Sequence, residues 1–306
     1  MARLCITEPV HPDAVAMLRA AGLEPDLLHD LPEAARAREL ERAEIVLVRT
    51  RPLRVMGPAL RHIAKHGVGV DNIDLAAAAR AGVIVTNTPG ANAASVAEFA
   101  LMGMLALTRG LPALIAGQGA GRTMPGLGGR RLLVVGFGAA GRRVAALAAG
   151  FGMDVRVFGP RLTGARTAEG HRIEPDLGAA LAEADVLSLH CPLTPETRGM
   201  IGAVALARLP PEAIVINTAR GGLIDSDALA GALASGQVAG ALLDVTEPDP
   251  LPPDHPLRHD ARCILTPHAA TLGEDAFRTM GMEAARNILD LRAGRLRPGV
   301  VVVGGG

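Results

Sequence analysis

The residues able to do chemistry gather in four short stretches, each directly after an apolar, strand-like run. In the first, Leu132 to Val135 leads into Gly136-Phe137-Gly138-Ala139-Ala140-Gly141, which opens an Ala-rich helical stretch. A G-x-G-x-x-G turn in that context has the chemistry of dinucleotide binding. Gly136 makes the tight turn, Gly138 lets a pyrophosphate approach the backbone, and Gly141 lets helix and strand pack closely. The alternative is an ordinary tight βα turn, which chance produces readily in a chain with 37 glycines. An NAD site carries a carboxylate at the end of the next strand, roughly 20 residues on, to accept the ribose hydroxyls. Here Val155 to Phe158 is followed by Gly159-Pro160-Arg161. A 2′-phosphate would meet no repulsive carboxylate there and would find Arg161, so NADP(H) is favoured over NAD(H). The alternative leaves Arg161 as a solvated loop residue and NAD bound with a weakened ribose contact.

The other three stretches lie further along. Asn217-Thr218-Ala219-Arg220-Gly221-Gly222 follows a buried strand, Asp244, Glu247 and Asp249 follow a second, and Thr266-Pro267-His268-Ala269 follows a third. Open α/β sheets build their sites at the carboxyl ends of strands. An arginine, a carboxylate and a histidine therefore converge on one edge of a dinucleotide-type sheet.

The elements that must position these groups read as α/β throughout. Strands are expected at Leu4 to Thr7, Ile45 to Val48, Ile63 to His66 and Val83 to Thr86, with helices at Pro12 to Ala20, Pro32 to Ala43 and Leu75 to Ala81. Six more strands are expected at Leu132 to Val135, Val155 to Phe158, Val186 to Leu189, Ile214 to Asn217, Ala241 to Leu243 and Ile264 to Thr266. Strands alternating with helices imply parallel sheets with crossover helices, and six match a doubly wound dinucleotide fold. Apolar helices at Ala93 to Thr108 and Gly273 to Ala293 carry the chain from one domain to the other. The expected division is 1–93 with 274–306, completed by a Val- and Gly-rich extended tail, against 94–273. Gly110 to Gly129 reads as the longest loop, an interface arm or mobile segment.

Composition excludes several classes. The 306 residues hold 31 Lys+Arg against 31 Asp+Glu, so the electrostatic footprint of nucleic-acid or anionic-membrane binding is missing. Aromatics are 2%, with no Trp or Tyr, which leaves no base-stacking platform. Lys65 is the only lysine and stands in neither a P-loop nor a Schiff-base context. Cys5, Cys191 and Cys263 sit far apart in apolar runs and read as reduced small hydrophobes of a cytosolic protein. No Cys/His cluster has metal-ligand spacing. Glu8 and Pro9 interrupt any signal-peptide core, and Arg109, Gly110 and Pro112 break the most apolar stretch, Leu101 to Gly117, so a soluble, cytoplasmic chain is expected.

Over nearly its whole length the chain resembles the D-isomer specific 2-hydroxyacid dehydrogenases, the family of phosphoglycerate dehydrogenases and glyoxylate/hydroxypyruvate reductases. The resemblance rests on His66-Gly67-Val68-Gly69-Val70-Asp71-Asn72-Ile73-Asp74, Thr88-Pro89-Gly90-Ala91-Asn92, Ser95-Val96-Ala97-Glu98, the glycine turn, the Arg220 loop, Leu243-Asp244-Val245 and Thr266-Pro267-His268. It implies a flavodoxin-like substrate domain and a Rossmann nucleotide domain with the active site in the cleft between them. It also implies that Arg220 holds the substrate carboxylate and keto oxygen, and that His268 exchanges a proton with that oxygen as hydride reaches C2. The family acid, normally Glu before Pro-Leu-Pro, falls by register on Asp249, with Glu247, two residues out of register, as the alternative. Gly67-Val68-Gly69 resembles the loop whose amides bind the substrate carboxylate, although without the family the triplet reads as a strand-end turn. Asn92 resembles a hinge or substrate-contacting residue. Thr218, Ala219, Asp244 and Ala269 match positions around the nicotinamide, and Cys191-Pro192 ends a strand that runs beside the cofactor.

The implied activity is hydride transfer between a nicotinamide and C2 of a D-2-hydroxy acid or 2-keto acid, with no metal. A glyoxylate/hydroxypyruvate-type reductase is placed ahead of a phosphoglycerate dehydrogenase because 306 residues leave no room for an appended regulatory domain. A dinucleotide-sensing, non-catalytic interaction protein on the same fold is the competitor from another class. The apolar Ala93 to Thr108 helix and the arm after it resemble the family's dimer interface, so a homodimer is expected.

Overall fold

Strands and helices alternate from the first residues of a computed structural model, which describes residues 2–54, 56–118 and 123–304. Two compact units result, Met1–Asn92 with Leu272–Gly306, and Ala93–Thr271. The first begins with β1 (Leu4–Ile6), α1 (Pro12–Ala20), β2 (Asp26–Leu27), α2 (Glu33–Glu41), β3 (Ile45–Val48), β4 (His62–Lys65), α3 (Leu75–Arg80) and β5 (Ile84–Thr86). Local chemistry starts these helices. Pro12 opens α1, where its fixed φ suits the first turn, and the Asp74 carboxylate accepts the Ala77 amide at 2.8 Å to cap α3.

The second unit runs through α4 (Ala93–Thr108), α5 (Leu111–Ile115), β6 (Arg131–Val135), α6 (Ala139–Gly150), β7 (Asp154–Phe158), β8 (Arg172–Ile173), α7 (Leu177–Leu181), β9 (Val186–Leu189), α8 (Ala203–Leu206), β10 (Ala213–Asn217), α9 (Ser226–Ala234), β11 (Val238–Leu243) and β12 (Cys263–Leu265). Its seven strands are all parallel, in the order β12-β11-β10-β9-β6-β7-β8. Successive side chains of a strand face opposite ways, and both faces of this sheet are covered. Leu133 and Val135 of β6 join Leu187, Val215 and Leu243 in one core layer, whereas Leu132 and Val134 join Val186, Ile214, Ile216 and Leu242 in the other. Each fully buried Leu, Ile or Val contributes about 1.5–3 kcal/mol, so these two layers hold the sheet's carboxyl edge still.

The chain then returns to the first unit with α10 (Glu274–Arg292) and β13 (Val301–Val303). That sheet has the order β13-β5-β4-β3-β1-β2, parallel except for β13, which pairs antiparallel with β5.

Three expectations need correction. Residues 111–115 of the supposed Gly110 to Gly129 loop form α5, because Pro112 in a first helical turn is a start signal rather than a break; residues 119–122 of that segment lie outside the described residues. The two-residue strands β2 and β8 were not foreseen. The Val-rich tail is a paired strand, not merely an extended one.

Candidate active site

At the carboxyl edge of the second unit, β10, β11 and β12 are neighbours whose ends lie in register, Asn217 opposite Leu243 and Leu243 opposite Leu265. Arg220 and His268 each stand three residues past such an end, and Asp249 six. Two buried polar side chains lock the backbone around Arg220 and His268. Asn217, with no exposed surface, donates to the Arg220 carbonyl at 2.9 Å and accepts the Ala219 amide at 3.0 Å. Asp244 is 1% exposed; its Oδ1 accepts the Thr266 hydroxyl at 2.7 Å and the Ala269 amide at 2.6 Å, and its Oδ2 the Ala270 amide at 3.0 Å.

The Asp244 carbonyl also accepts the His268 amide at 3.0 Å. His268 adopts φ +55°, a left-handed conformation that costs a non-glycine residue about 1–2 kcal/mol and persists because Thr266 before it and Ala269 after it are held by Asp244. Its imidazole is exposed and makes no hydrogen bond or ion pair among the described residues. The exposed Asp249 carboxylate makes none either, so the structure does not join that pair. Glu247 is otherwise committed, ion-paired to Arg198. Two glycines after Arg220 explain how these loops pack together: a Cβ at Gly221 would overlap the Thr246 backbone, and one at Gly222 the Glu247 carboxylate.

The glycine turn lies further along the same edge. Gly136 has φ +95°, and a Cβ there would stand 2.5 Å from the Cys191 amide nitrogen, so the glycine admits the end of β9. A Cβ at Gly141 would strike the Gly136 carbonyl, which fixes the close packing of α6 on β6. At Gly138 nothing lies within 4 Å, and no side chain caps α6 there. The first amides of α6, at Ala139 and Ala140, thus lack intrahelical partners, next to the open space at Gly138. Thr218 Oγ1 is buried without a partner. Orphaned donors, open space and an orphaned hydroxyl fit a bound dinucleotide. Cys191 is half-buried and Pro192 exposed, and burial raises the Cys191 thiol pKa. The preceding residue, His190, shares a hydrogen bond of 2.8 Å between its Nε2 and the Ser188 hydroxyl, and burial lowers its pKa to about 4.

Past β7, Gly159 has φ outside the left-handed region, and a Cβ would meet only Leu162 carbons at 3.5 and 3.6 Å. Packing therefore does not require a glycine where the ribose carboxylate was expected. Arg161 is exposed and forms no ion pair among the described residues.

In the first unit, Gly67 has φ +127°, and its amide is already given to Thr88 Oγ1 at 3.1 Å. That reduces the expected three-amide cradle to Val68 and Gly69, whose amides donate to no group among the described residues. Asn92 is half-buried at the end of this segment, also without a hydrogen bond there. Asn217 as a loop latch, Thr88 and the three-donor role of Asp244 went unforeseen. The available signal was a polar residue closing an apolar strand, which must find partners when buried.

Fold and edge define a nicotinamide-dinucleotide-binding protein of the doubly wound class. The family described as D-isomer specific 2-hydroxyacid dehydrogenase, NAD binding domain, matches residues 101–270. The chain is 36% identical to the D-3-phosphoglycerate dehydrogenase of Methanocaldococcus jannaschii over 98% of its own length, spanning 59% of that protein. It is 36% identical to the glyoxylate reductase of Aeropyrum pernix over 80% of its length and 77% of the relative's. Its fold matches the D-lactate dehydrogenase of Aquifex aeolicus complexed with NAD and lactic acid at a TM-score of 0.84, with 27% identity and 99% of each chain covered. The chain belongs to the D-isomer specific 2-hydroxyacid dehydrogenase family. No described helix is long and apolar enough to cross a membrane, and no described group of His, Cys, Asp and Glu has a metal-holding arrangement.

Proposed function

We propose that the chain is an oxidoreductase of small 2-keto acids and D-2-hydroxy acids, of the glyoxylate/hydroxypyruvate type, preferring NADP(H) and acting as a reductase. The observation that carries this reading is the register-matched edge after which Arg220 and His268 stand on locked loops, with Asp249 on the loop between them in the sheet and the uncapped start of α6 on the same edge. The dinucleotide, when bound, supplies the hydride for C2. Gly136, Gly138, Ala139, Ala140 and Gly141 hold its pyrophosphate, while Cys191, Pro192, Thr218, Ala219 and Ala269 border its nicotinamide half.

The Arg220 guanidinium neutralises charge growing on the keto oxygen, and His268 gives that oxygen its proton. Asp249 stabilises the imidazolium, as its carboxylate is uncommitted whereas Glu247 is held by Arg198. Val68 and Gly69 take the substrate carboxylate through their free amides. NADP(H) preference is supported by Gly159, which packing does not demand, and by the unpaired Arg161. The reductive direction follows from NADPH being kept reduced.

A homodimer is supported by an apolar face on the second unit. Met102, Leu111 and Leu147 are exposed on α4, α5 and α6 around a cavity of about 460 Å³, and Leu114 and Ile115 of α5 are exposed as well. Phosphoglycerate oxidation is the second reading, favoured by the match to the M. jannaschii enzyme along 98% of this chain.

The test is a panel of glyoxylate, hydroxypyruvate, pyruvate and 3-phosphohydroxypyruvate with NADH and NADPH, followed at the nicotinamide band. Fastest turnover of glyoxylate or hydroxypyruvate with NADPH is expected. Fastest turnover of the phosphorylated acid transfers the assignment to the second reading. Nucleotide binding without turnover of any acid overturns the enzyme in favour of a dinucleotide sensor.

A further inference from the structure

Lys65, the only lysine in the chain, closes β4 and is 7% exposed. Removing an ammonium from water is expensive, several kcal/mol even after relaxation, so its partners say what it is for. Its Nζ donates to the Arg49 carbonyl and, at 2.7 Å, to Asn72 Oδ1. Asn72 passes the grip on, giving its Nδ2 to the Arg51 carbonyl at 2.8 Å, while its own carbonyl accepts the Leu53 amide at 2.7 Å. The loop after β3 is held from its other side by Glu8, 5% exposed, which accepts the amides of Arg49 and Thr50 at 2.9 Å and of Arg51 at 3.1 Å. The amides of residues 49–51 are thus pinned by a buried carboxylate, the Arg49 carbonyl by a buried ammonium and the Arg51 carbonyl by the Asn72 amide that the ammonium holds.

The turn carrying Val68 and Gly69 hangs between the two ends of this arrangement. It leaves β4 at Lys65, passes Gly67, where an added Cβ would lie 3.7 Å from Lys65 Cε, and ends at Asn72, which the ammonium holds. One side chain therefore lines the start of the turn with its stem and fixes the finish with its head.

We infer that Lys65 is a positioning residue that sets the Val68–Gly69 amide cradle, and through it the affinity for the substrate carboxylate, by tying Asn72 to the loop after β3. The inference rests on the reading of those two amides as the carboxylate site. A compact ammonium with three donors reaches a carbonyl and an amide oxygen lying in different directions. A guanidinium presents a planar fork and does not replace it.

The test compares wild type with Lys65→Met, Lys65→Arg and Asn72→Ala in the full-length protein. Lys65→Met is expected to raise KM for the best 2-keto acid at least tenfold, leave kcat within threefold, and leave the NADPH dissociation constant unchanged by fluorescence titration; Lys65→Arg does not restore KM. Hydrogen exchange is read on the same proteins. Amides of residues 68–72 exchange at least tenfold faster in Lys65→Met and Asn72→Ala, while those of β1 keep their wild-type rates. An unchanged KM, or a loss confined to kcat, overturns the inference, as does unchanged exchange at 68–72. If wild type turns over no 2-keto acid, the proposed function fails, and exchange still decides whether Lys65 sets the turn. If Lys65→Met does not fold, Asn72→Ala carries both readouts.

Discussion

The two units deploy polar groups in opposite ways. In Ala93–Thr271 the proposed catalytic side chains Arg220, Asp249 and His268 stand on loops past the sheet edge, and buried Asn217 and Asp244 spend their hydrogen bonds mostly on backbone. In Met1–Asn92 with Leu272–Gly306 the ionisable side chains Glu8, His62, Lys65 and His66 go inside, and backbone amides at Val68 and Gly69 are left outward. The difference matches the two tasks proposed. Recognising a carboxylate that every substrate carries is suited to a rigid backbone. Moving a proton requires a side chain whose ring is free to change its charge.

The largest effect should come from breaking the lock in the second unit. Asp244→Asn keeps the shape but leaves the Ala270 amide facing an NH₂ group, so a loss of about 2–4 kcal/mol in denaturant stability is expected. Turnover should fall by about a hundredfold as the His268 loop loosens. Activity within threefold of wild type would show that the loop does not depend on this carboxylate.

Acid should separate the units by a smaller margin. Burial lowers the pKa of His62 and His66 to about 4 in the first unit, and of His190 to about 4 in the second. A histidine kept neutral by the fold contributes stability that is fully present above its unfolded pKa near 6.5 and is lost as pH falls towards 4. Two such groups give a slope of about 3 kcal/mol per pH unit, and one about 1.4. Hydrogen-exchange protection of β4, corrected for the intrinsic rate, should therefore fall about twice as steeply between pH 6 and 4.5 as that of β9. Equal slopes would remove the contrast.

Gly159→Asp sharpens the comparison at the cofactor end with the smallest effect. A Cβ there meets only ordinary van der Waals contacts, so the fold should be kept and the NADPH/NADH ratio of kcat/KM should drop at least about tenfold, 1.4 kcal/mol. An unchanged ratio would mean that cofactor choice is made elsewhere.

Much of this contrast was legible in the sequence where local pattern suffices. β3, β9 and α4 run from Ile45, Val186 and Ala93 as read, because predominantly apolar runs with clear flanks leave little choice of element. Asp26–Leu27 and Arg172–Ile173 are too short and too polar to show a period, and only the neighbouring strand makes them strands. The glycine turn and the Arg220, Asp249 and His268 loops were visible as residues after strands. Their locks were not, since Asp244 reaches donors 22 to 26 positions away and Gly67 gives its amide to a threonine 21 positions on. Lys65 showed only as a lone charge in an apolar run, and its partners come from two loops that sequence distance separates.

The central claim is that these loops carry out hydride transfer at C2 of an acid of one hand. Its most direct test is oxidation of D- and L-glycerate with NADP⁺ by wild type and by His268→Asn. D-glycerate should be oxidised at least about a hundredfold faster than L-glycerate, and His268→Asn should lower that rate by about a thousandfold. Comparable rates on both enantiomers, or a His268→Asn protein as fast as wild type, would contradict the account.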